Sequence, residues 1–163
     1  MRKAQIQSQV FVFIFAAVLM GLIFFFGWKW FNQLNDSRRE VMFLEFKDDL
    51  KAALESKRYG DRDEVRLKLP GTAKELCFVD LDKDVTATTW PASQGHSLMK
   101  DSVESGQQIN AFLVTSKTVP LDYVGKVTVS NAGLMFLCIT ANANTVTFWL
   151  EGKGDHVEVS PTT

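Results

Sequence analysis

The sequence has few of the residues and motifs on which enzymes depend. It contains two histidines and two cysteines in 163 residues, and no serine stands in a nucleophile elbow. No glycine-rich stretch has the form of a phosphate-binding loop. Gly152-Lys153-Gly154 lacks the preceding glycine and the Ser or Thr of such loops, so we interpret it as a bend before the last strand. We therefore expect a non-enzymatic protein with no catalytic residues, no metal and no cofactor.

Charge is scarce in the first part of the chain. Arg2, Lys3 and Lys29 are the only charged residues before Asp36, which leaves 15 basic and 19 acidic side chains, a net charge of −4, for the rest. Neither sign is concentrated enough for a nucleic-acid-binding surface. We expect no nucleic-acid partner.

A long uncharged stretch occupies this region, from Val10 to Trp28. As a helix it spans roughly 28 Å, close to the thickness of the hydrocarbon core of a bilayer. Trp28, Lys29 and Trp30 form the aromatic and basic collar typical of a helix leaving lipid. A chain this short has no core wide enough to bury such a helix on all sides. The stretch predicts a membrane span, with Ala17 and Gly21 as a small-xxx-small pair.

The N-terminal residues before the span are MRKAQIQSQ. A small residue, Ala4, follows two basic residues and precedes Gln5, and no small-residue cleavage pattern follows the apolar run, as a secretory signal would require. This arrangement resembles the class III signal peptide of archaeal type IV pilins and archaellins. The resemblance implies cleavage between Ala4 and Gln5 by a prepilin-type peptidase. The polar residue at the fifth mature position, Gln9, is uncharged where that family often has a carboxylate.

An uncleaved signal anchor is the alternative to pilin-like processing. Both place the N-terminus in the cytoplasm and the C-terminal domain outside it, because Arg2 and Lys3 precede the span while Lys29 stands alone after it. Asn35 begins an N-glycosylation sequon, although it lies close to the membrane.

The chain after the span changes from helical to alternating periodicity. An apolar face formed by Phe43, Phe46, Leu50 and Ala53 predicts an amphipathic helix that packs on a sheet and stops near Gly60. Beyond it, six or seven short strands with short connections predict a mostly antiparallel sheet. Residues 82–108 are polar and loop-like, with a short helix over Ser97–Glu104.

The fold class is thus α+β, a long N-terminal helix packed on a small β domain. We expect four segments, namely a basic leader with the processing site at 1–9, a transmembrane helix at 10–31, an amphipathic helix extension at 32–60 and an extracytoplasmic β-rich domain at 61–163. The β domain is also similar to archaeal pilin-like proteins that have a CFVDL-type strand and a late second cysteine.

The two cysteines, Cys77 and Cys138, each lie in an apolar strand-like run. They are either free core thiols or, outside the cytoplasm, a disulfide, which would stabilise the fold by roughly 4 kcal/mol in the chain-entropy model. Their spacing excludes a self-contained zinc site. His96 and His156 lie far from each other and are expected to be exposed loop residues.

Asp80, Asp82 and Asp84 have the alternate spacing of a calcium loop. An EF-hand starting at Asp80 requires Gly at its sixth position and Glu at its twelfth, where this chain has Val85 and Pro91. The sequence predicts a solvated strand end here.

Two functions remain. The first is a pilin-like structural subunit, anchored in the bilayer, whose partners are copies of itself or other pilin-like subunits in a surface filament. The second is a single-pass tethered binding domain that does not polymerise, with residues 82–108 as its binding surface.

Overall fold

The computed structural model of the chain describes residues 3–91, 96–131 and 133–162. Its helices and strands, in chain order, are α1 Lys3–Glu55, β1 Arg62–Lys68, β2 Glu75–Val79, α2 Ser97–Glu104, β3 Ala111–Val114, β4 Thr118–Asp122, β5 Val127–Val129, β6 Phe136–Thr140, β7 Thr145–Gly152 and β8 Val157–Pro161. The chain divides into two units, Met1–Val41 and Met42–Thr163. Helix α1 begins in the first unit and ends in the second.

The first unit contains the apolar part of α1. Its segment Phe11–Phe31 has a mean hydropathy of 2.5 and is long and apolar enough to cross a membrane. Charged residues and prolines are absent from this stretch apart from Lys29, so nothing interrupts the helix. The polar residues that follow it do not end the helix either, as the lack of Pro and Gly among them predicts.

The second unit contains the amphipathic end of α1, and the predicted packing of this helix on the sheets is confirmed. The residues of α1 in the core are Phe46, Leu50 and Leu54, which are buried, with Phe43 and Ala53 partly buried against them. These positions recur at three- and four-residue steps and therefore lie on one face of the helix.

Helix α1 ends at Glu55, before the predicted stop at residue 60. Gly60 has a positive φ of 85°, but it turns the chain toward the sheet rather than capping the helix. Its N–H donates a hydrogen bond to the Gly152 carbonyl over 2.8 Å. The sequence signal for a glycine turn was correct, and its assignment to the helix terminus was wrong.

The strands form two four-stranded sheets rather than one. Sheet A has the order β1-β7-β8-β5 and sheet B the order β4-β3-β2-β6. All pairs are antiparallel except β5 with β8. The two sheets share a core with α1, in which Phe78 of sheet B and Phe148 of sheet A meet edge to face with ring centroids 5.5 Å apart. The predicted mostly antiparallel α+β fold is confirmed.

The strand missing from the sequence prediction is β4. Pro120 lies within it, and proline is unfavourable in a central strand because it has no N–H for the ladder. The structure accommodates it because β4 is the edge of sheet B and pairs only with β3, with an irregularity between Ala111 and Phe112.

Sheet B is covered on both faces. The face away from α1 carries a second apolar cluster, consisting of Cys77, Val79, Trp90, Met99, Phe112, Met135 and Phe136. Four of the five residues of β2 are buried in consequence, whereas β7 alternates between half-buried and buried positions along its length. A strand buried on both faces reads as a continuous apolar run, which is the pattern of LCFV in β2.

Candidate functional site

The apolar segment, Phe11–Phe31, is the first candidate site. Every residue in it is exposed, and Trp28 and Trp30 of the collar retain 73% and 71% of their accessible surface. Lys29 is exposed between them. Twenty-one consecutive exposed residues of this composition form an apolar surface far larger than the scattered apolar residues normal on a soluble protein.

The small residues of this segment leave its surface open. A Cβ atom added at Gly21 or at Gly27 would meet nothing within 4 Å. Ala17 and Gly21 stand one helical turn apart on the same face of α1. The backbone at this face is therefore accessible to a neighbouring helix.

The predicted processing site lies at the start of α1. Ala4 and Gln5 are within the helix, but their side chains fall outside the part that the structure describes, as do those of Val10 and of Asn35 in the sequon. Cleavage and glycosylation at these positions stay predictions.

The disulfide between Cys77 and Cys138 is present. The two residues stand directly opposite each other in the β2–β6 pair, with Cα atoms 4.0 Å apart. The bond joins the two strands on the face of sheet B that carries the second apolar cluster. Of the two alternatives that the sequence leaves open, the disulfide is confirmed.

Two further polar side chains stand next to this disulfide. His96, at the start of α2, places Nε2 3.8 Å from Cys138 Sγ, and its ring meets Phe136 edge to face. Glu75 precedes Cys77 by two residues on the same strand face. One ligand atom from each of Glu75, Cys77, His96 and Cys138 lies within 4.8 Å of all the others, and we call these four residues the disulfide cluster.

The expectation of exposed histidines is wrong for both residues. His96 is half-buried over sheet B, beside Cys138 and Phe136. His156 is also half-buried, and its Nδ1 lies 2.7 Å from Asp155 Oδ1. The sequence separates His96 from the cysteines, and only the tertiary fold brings them together.

Trp90 and helix α2, both within the segment 82–108, pack on sheet B. Trp90 stacks on Phe136 with ring centroids 4.5 Å apart, and Met99 of α2 is fully buried. The predicted helix over Ser97–Glu104 is confirmed as α2. Two apolar residues in a polar segment thus anchor it to the sheet.

Asp80 is buried, so the prediction of a solvated strand end is wrong for this residue. Only 2% of its surface is accessible, its Oδ1 accepts a hydrogen bond from the Asp82 N–H over 3.1 Å, and its Oδ2 lies 3.4 Å from Lys83 Nζ. The carboxylate thus stabilises the turn after β2.

Two grooves flank α2. The first, of about 340 Å³, lies between α2 and β4 and is mainly apolar, with Leu98, Phe112 and Pro120 in its lining. The second, of about 410 Å³, is more polar and includes Gln107, Gln108 and Tyr123. Among the residues described, neither lining places a nucleophile beside a histidine.

An exposed ion-pair network joins three loops at the edge of the β domain. Lys126 Nζ lies 3.2 Å from Asp82 Oδ2 and 3.4 Å from Asp155 Oδ2. Hydrogen bonds to Asp82 and Asp155 raise the pKa of Lys126, and the hydrogen bond with His156 lowers the pKa of Asp155. Both shifts favour the charged forms of Lys126 and Asp155, so the network stabilises the loops electrostatically.

A similar pair connects α1 to sheet B. Lys47 Nζ lies 2.7 Å from Asp122 Oδ2, and the hydrogen bond from Lys47 lowers the pKa of Asp122. The pair persists at neutral pH and is lost as pH falls and the carboxyl is protonated. Because both side chains are partly exposed, its contribution to stability is about 1 kcal/mol or less.

Comparison of the chain with protein-family models, with curated proteins and with solved structures finds no match.

Proposed function

We propose that this protein is a pilin-like structural subunit. In this proposal the apolar segment of α1 anchors the chain in a bilayer, and the β-rich unit is displayed outside the cytoplasm. Copies of the chain then assemble into a surface filament through their apolar helices. The role is structural rather than catalytic.

The observation that carries the proposal is the full exposure of Phe11–Phe31. Each large apolar side chain gains roughly 1.5–3 kcal/mol when it leaves water. A helix with no cover among the described residues therefore requires lipid or other apolar helices around it. When the helix leaves the lipid bilayer, a filament surrounds it with other apolar helices.

The orientation is supported by two independent features. Arg2 and Lys3 precede the apolar segment, whereas Lys29, near its C-terminal end, is the only basic residue between Lys3 and Arg38, which favours a cytoplasmic N-terminus. The Cys77–Cys138 disulfide suits a domain in an oxidising compartment.

Assembly is supported by the small residues of the helix. Ala17 and Gly21 lie on one face, and a side chain at Gly21 would project into open space. Close helix contact through such positions is a common mode of packing between apolar helices. The resemblance of Arg2-Lys3-Ala4-Gln5 to a class III processing site supports the same route.

Mass spectrometry of the native protein tests processing. The proposal expects a mature chain that begins at Gln5, and a native protein that retains Met1 would contradict it.

Assembly is tested with Gly21→Leu and, as its matched control, Gly27→Leu. Leucine suits lipid, so both variants are expected to partition into the membrane fraction. Gly21→Leu is expected to abolish recovery of the protein in sheared filaments, because it blocks the face shared with Ala17. Gly27 has no small residue one turn before it, so its variant should assemble normally. Equal assembly of both variants would contradict helix packing through Gly21.

The second candidate is a membrane-tethered binding domain that does not polymerise. The observation in its favour is that both grooves border α2 and draw part of their lining from residues 82–108. Membrane association of the native chain without any filament-bound fraction would support this candidate over the first.

A further inference from the structure

The disulfide cluster combines four potential metal ligands at one point of sheet B. Glu75 and Cys77 are two residues apart on β2 and therefore lie on the same face of sheet B, the one that carries the second apolar cluster. Cys138 stands opposite Cys77 on β6. His96 approaches from the start of α2. All four ligand atoms lie within 4.8 Å of one another. Sulfur atoms bound to one tetrahedral zinc ion lie roughly 3.8 Å apart, so this spacing requires only small side-chain movements.

The backbone at His96 holds the imidazole in this position. His96 has φ 56° and ψ 42°, in the left-handed region that non-glycine residues seldom adopt. It also occupies the N-cap position of α2, yet its side chain makes no capping hydrogen bond. The ring is directed to Cys138 and Phe136 instead. An unfavourable backbone conformation that aims a ligand-type side chain at two sulfurs and a carboxylate indicates a binding geometry.

The surroundings of the cluster suit a buried ion. Cys77 is fully buried, and Val79, Met99 and Phe136 pack around it in the second apolar cluster. Within the part of the chain that the structure describes, no hydrogen bond or ion pair engages the Glu75 carboxylate, which is half-buried. The carboxylate is therefore free to act as a ligand.

We propose that the disulfide cluster binds one zinc-class divalent cation when the Cys77–Cys138 bond is reduced. Two thiolates and an imidazole select zinc over magnesium or calcium, which prefer oxygen ligands, and Glu75 completes a four-coordinate site. The oxidised chain links β2 to β6 through sulfur, and the reduced chain links them through the metal. In the second state His96 also ties α2 to the sheet.

Reduction of the Cys77–Cys138 disulfide requires an external reductant. A thiol reductant supplies two electrons and two protons, is itself oxidised to a disulfide, and leaves two protein thiols. With a phosphine reductant, water provides the oxygen of the phosphine oxide and the two protons for the thiols. The metal ion then displaces one proton from each thiol as two metal–sulfur bonds form.

The experiment uses the full chain in detergent, reduced with a phosphine that is removed anaerobically, and the probes are Zn²⁺ and Co²⁺. The proposal expects one ion per reduced chain, with Co²⁺ giving the sulfur-to-metal charge-transfer absorption and the visible bands of a tetrahedral site. The oxidised chain should bind neither ion at this site. His96→Ala should weaken binding by more than about 100-fold, beyond the loss typical of residues that only support a ligand. His156→Ala is the matched control and should bind as the native chain does.

If reduction unfolds the β domain, circular dichroism measures whether the metal ion restores its fold. A reduced chain that regains its sheet signal on addition of Zn²⁺ supports the site, and one that stays unfolded with Zn²⁺ overturns it. Equal affinity of the native, His96→Ala and His156→Ala chains would also overturn it, because the cysteines would then bind without the structured cluster. Glu75→Gln is expected to weaken binding and to change the Co²⁺ spectrum, and an unchanged spectrum would contradict the role of Glu75.

Discussion

At the scale of single residues, Gly152 makes the closest backbone approach among the described glycines. It lies at the end of β7, where its N–H donates to the Asp61 carbonyl over 2.9 Å. A Cβ atom at this position would lie 2.0 Å from the Arg58 carbonyl oxygen. The segment between α1 and β1 is thereby held directly against sheet A. The predicted bend before the last strand is present at residues 154–156, and Gly152 itself is the last residue of β7.

Gly152→Ala is therefore expected to destabilise the β-rich unit by about 3 kcal/mol, the upper end of the usual cost of overpacking, because the opposing atom is backbone and has no other rotamer. Urea denaturation followed by circular dichroism measures this loss. Gly71→Ala is the control, since its Cβ would meet nothing within 4 Å. Its positive φ of 62° costs only about 1 kcal/mol. Equal losses in the two variants would contradict the steric argument.

Three residues of the disulfide cluster could be predicted from the sequence, and the fourth, His96, could not. The pairing of Cys77 with Cys138 follows from two apolar runs, and the position of Glu75 follows from the two-residue period of a strand. His96 carries no such signal, because the packing of Trp90 and Met99 on sheet B brings it next to the sulfurs. Loop closure over a sheet face has no periodic pattern in the sequence.

At the scale of elements, the second half of α1 contributes three buried side chains, Phe46, Leu50 and Leu54, to the core between the sheets. Leu50 is fully buried, and it lies between Phe46 and Leu54 on the same helix face. Leu44 is on another face and retains 52% of its accessible surface. Leu50 and Leu44 therefore allow a buried and an exposed leucine of the same helix to be compared.

Leu50→Ala is expected to lower the free energy of unfolding of the β-rich unit by about 2–5 kcal/mol, from lost burial and the cavity left behind. Leu44→Ala should change it by less than about 0.5 kcal/mol. Urea titration of both variants in the full chain in detergent measures the difference. A Leu50→Ala variant as stable as Leu44→Ala would show that α1 does not contribute to the core.

Local patterns predicted most of the elements but not their arrangement. The apolar stripe of α1, the helix over Ser97–Glu104 and the strands with clear alternation were all visible in the sequence. Strand β4 was missed because Pro120 masks an edge strand, and the division into two sheets depends on which strands pair. The pairing of β1 with β7 joins residues from the two ends of the β domain, and no local pattern encodes it.

At the scale of the whole molecule, the chain consists of an exposed apolar helix and a second unit with its own core. The residues that form this core, including those from α1, all belong to Met42–Thr163. The second unit therefore has the interior of an independent domain, whereas the first has no buried residue within Phe11–Phe31.

A chain restricted to Met42–Thr163 is accordingly expected to be soluble, monomeric and folded without detergent. The full chain is expected to require detergent or lipid, because the apolar segment otherwise associates in water. Size-exclusion chromatography and circular dichroism of both chains check this expectation. Aggregation of the shorter chain, or a soluble monomeric full chain in plain buffer, would contradict it.

The pairing of β1 with β7 also determines when this protein finishes folding during its synthesis. Strand β1 leaves the ribosome soon after α1, but its partner Thr145–Gly152 is among the last segments to be made. Throughout that interval the backbone of β1 has no native partner strand. Such unfinished strands readily pair with those of other chains. In the proposed membrane-anchored state, the nascent chain therefore carries this unpaired strand edge at the membrane surface until Thr145–Gly152 has been made.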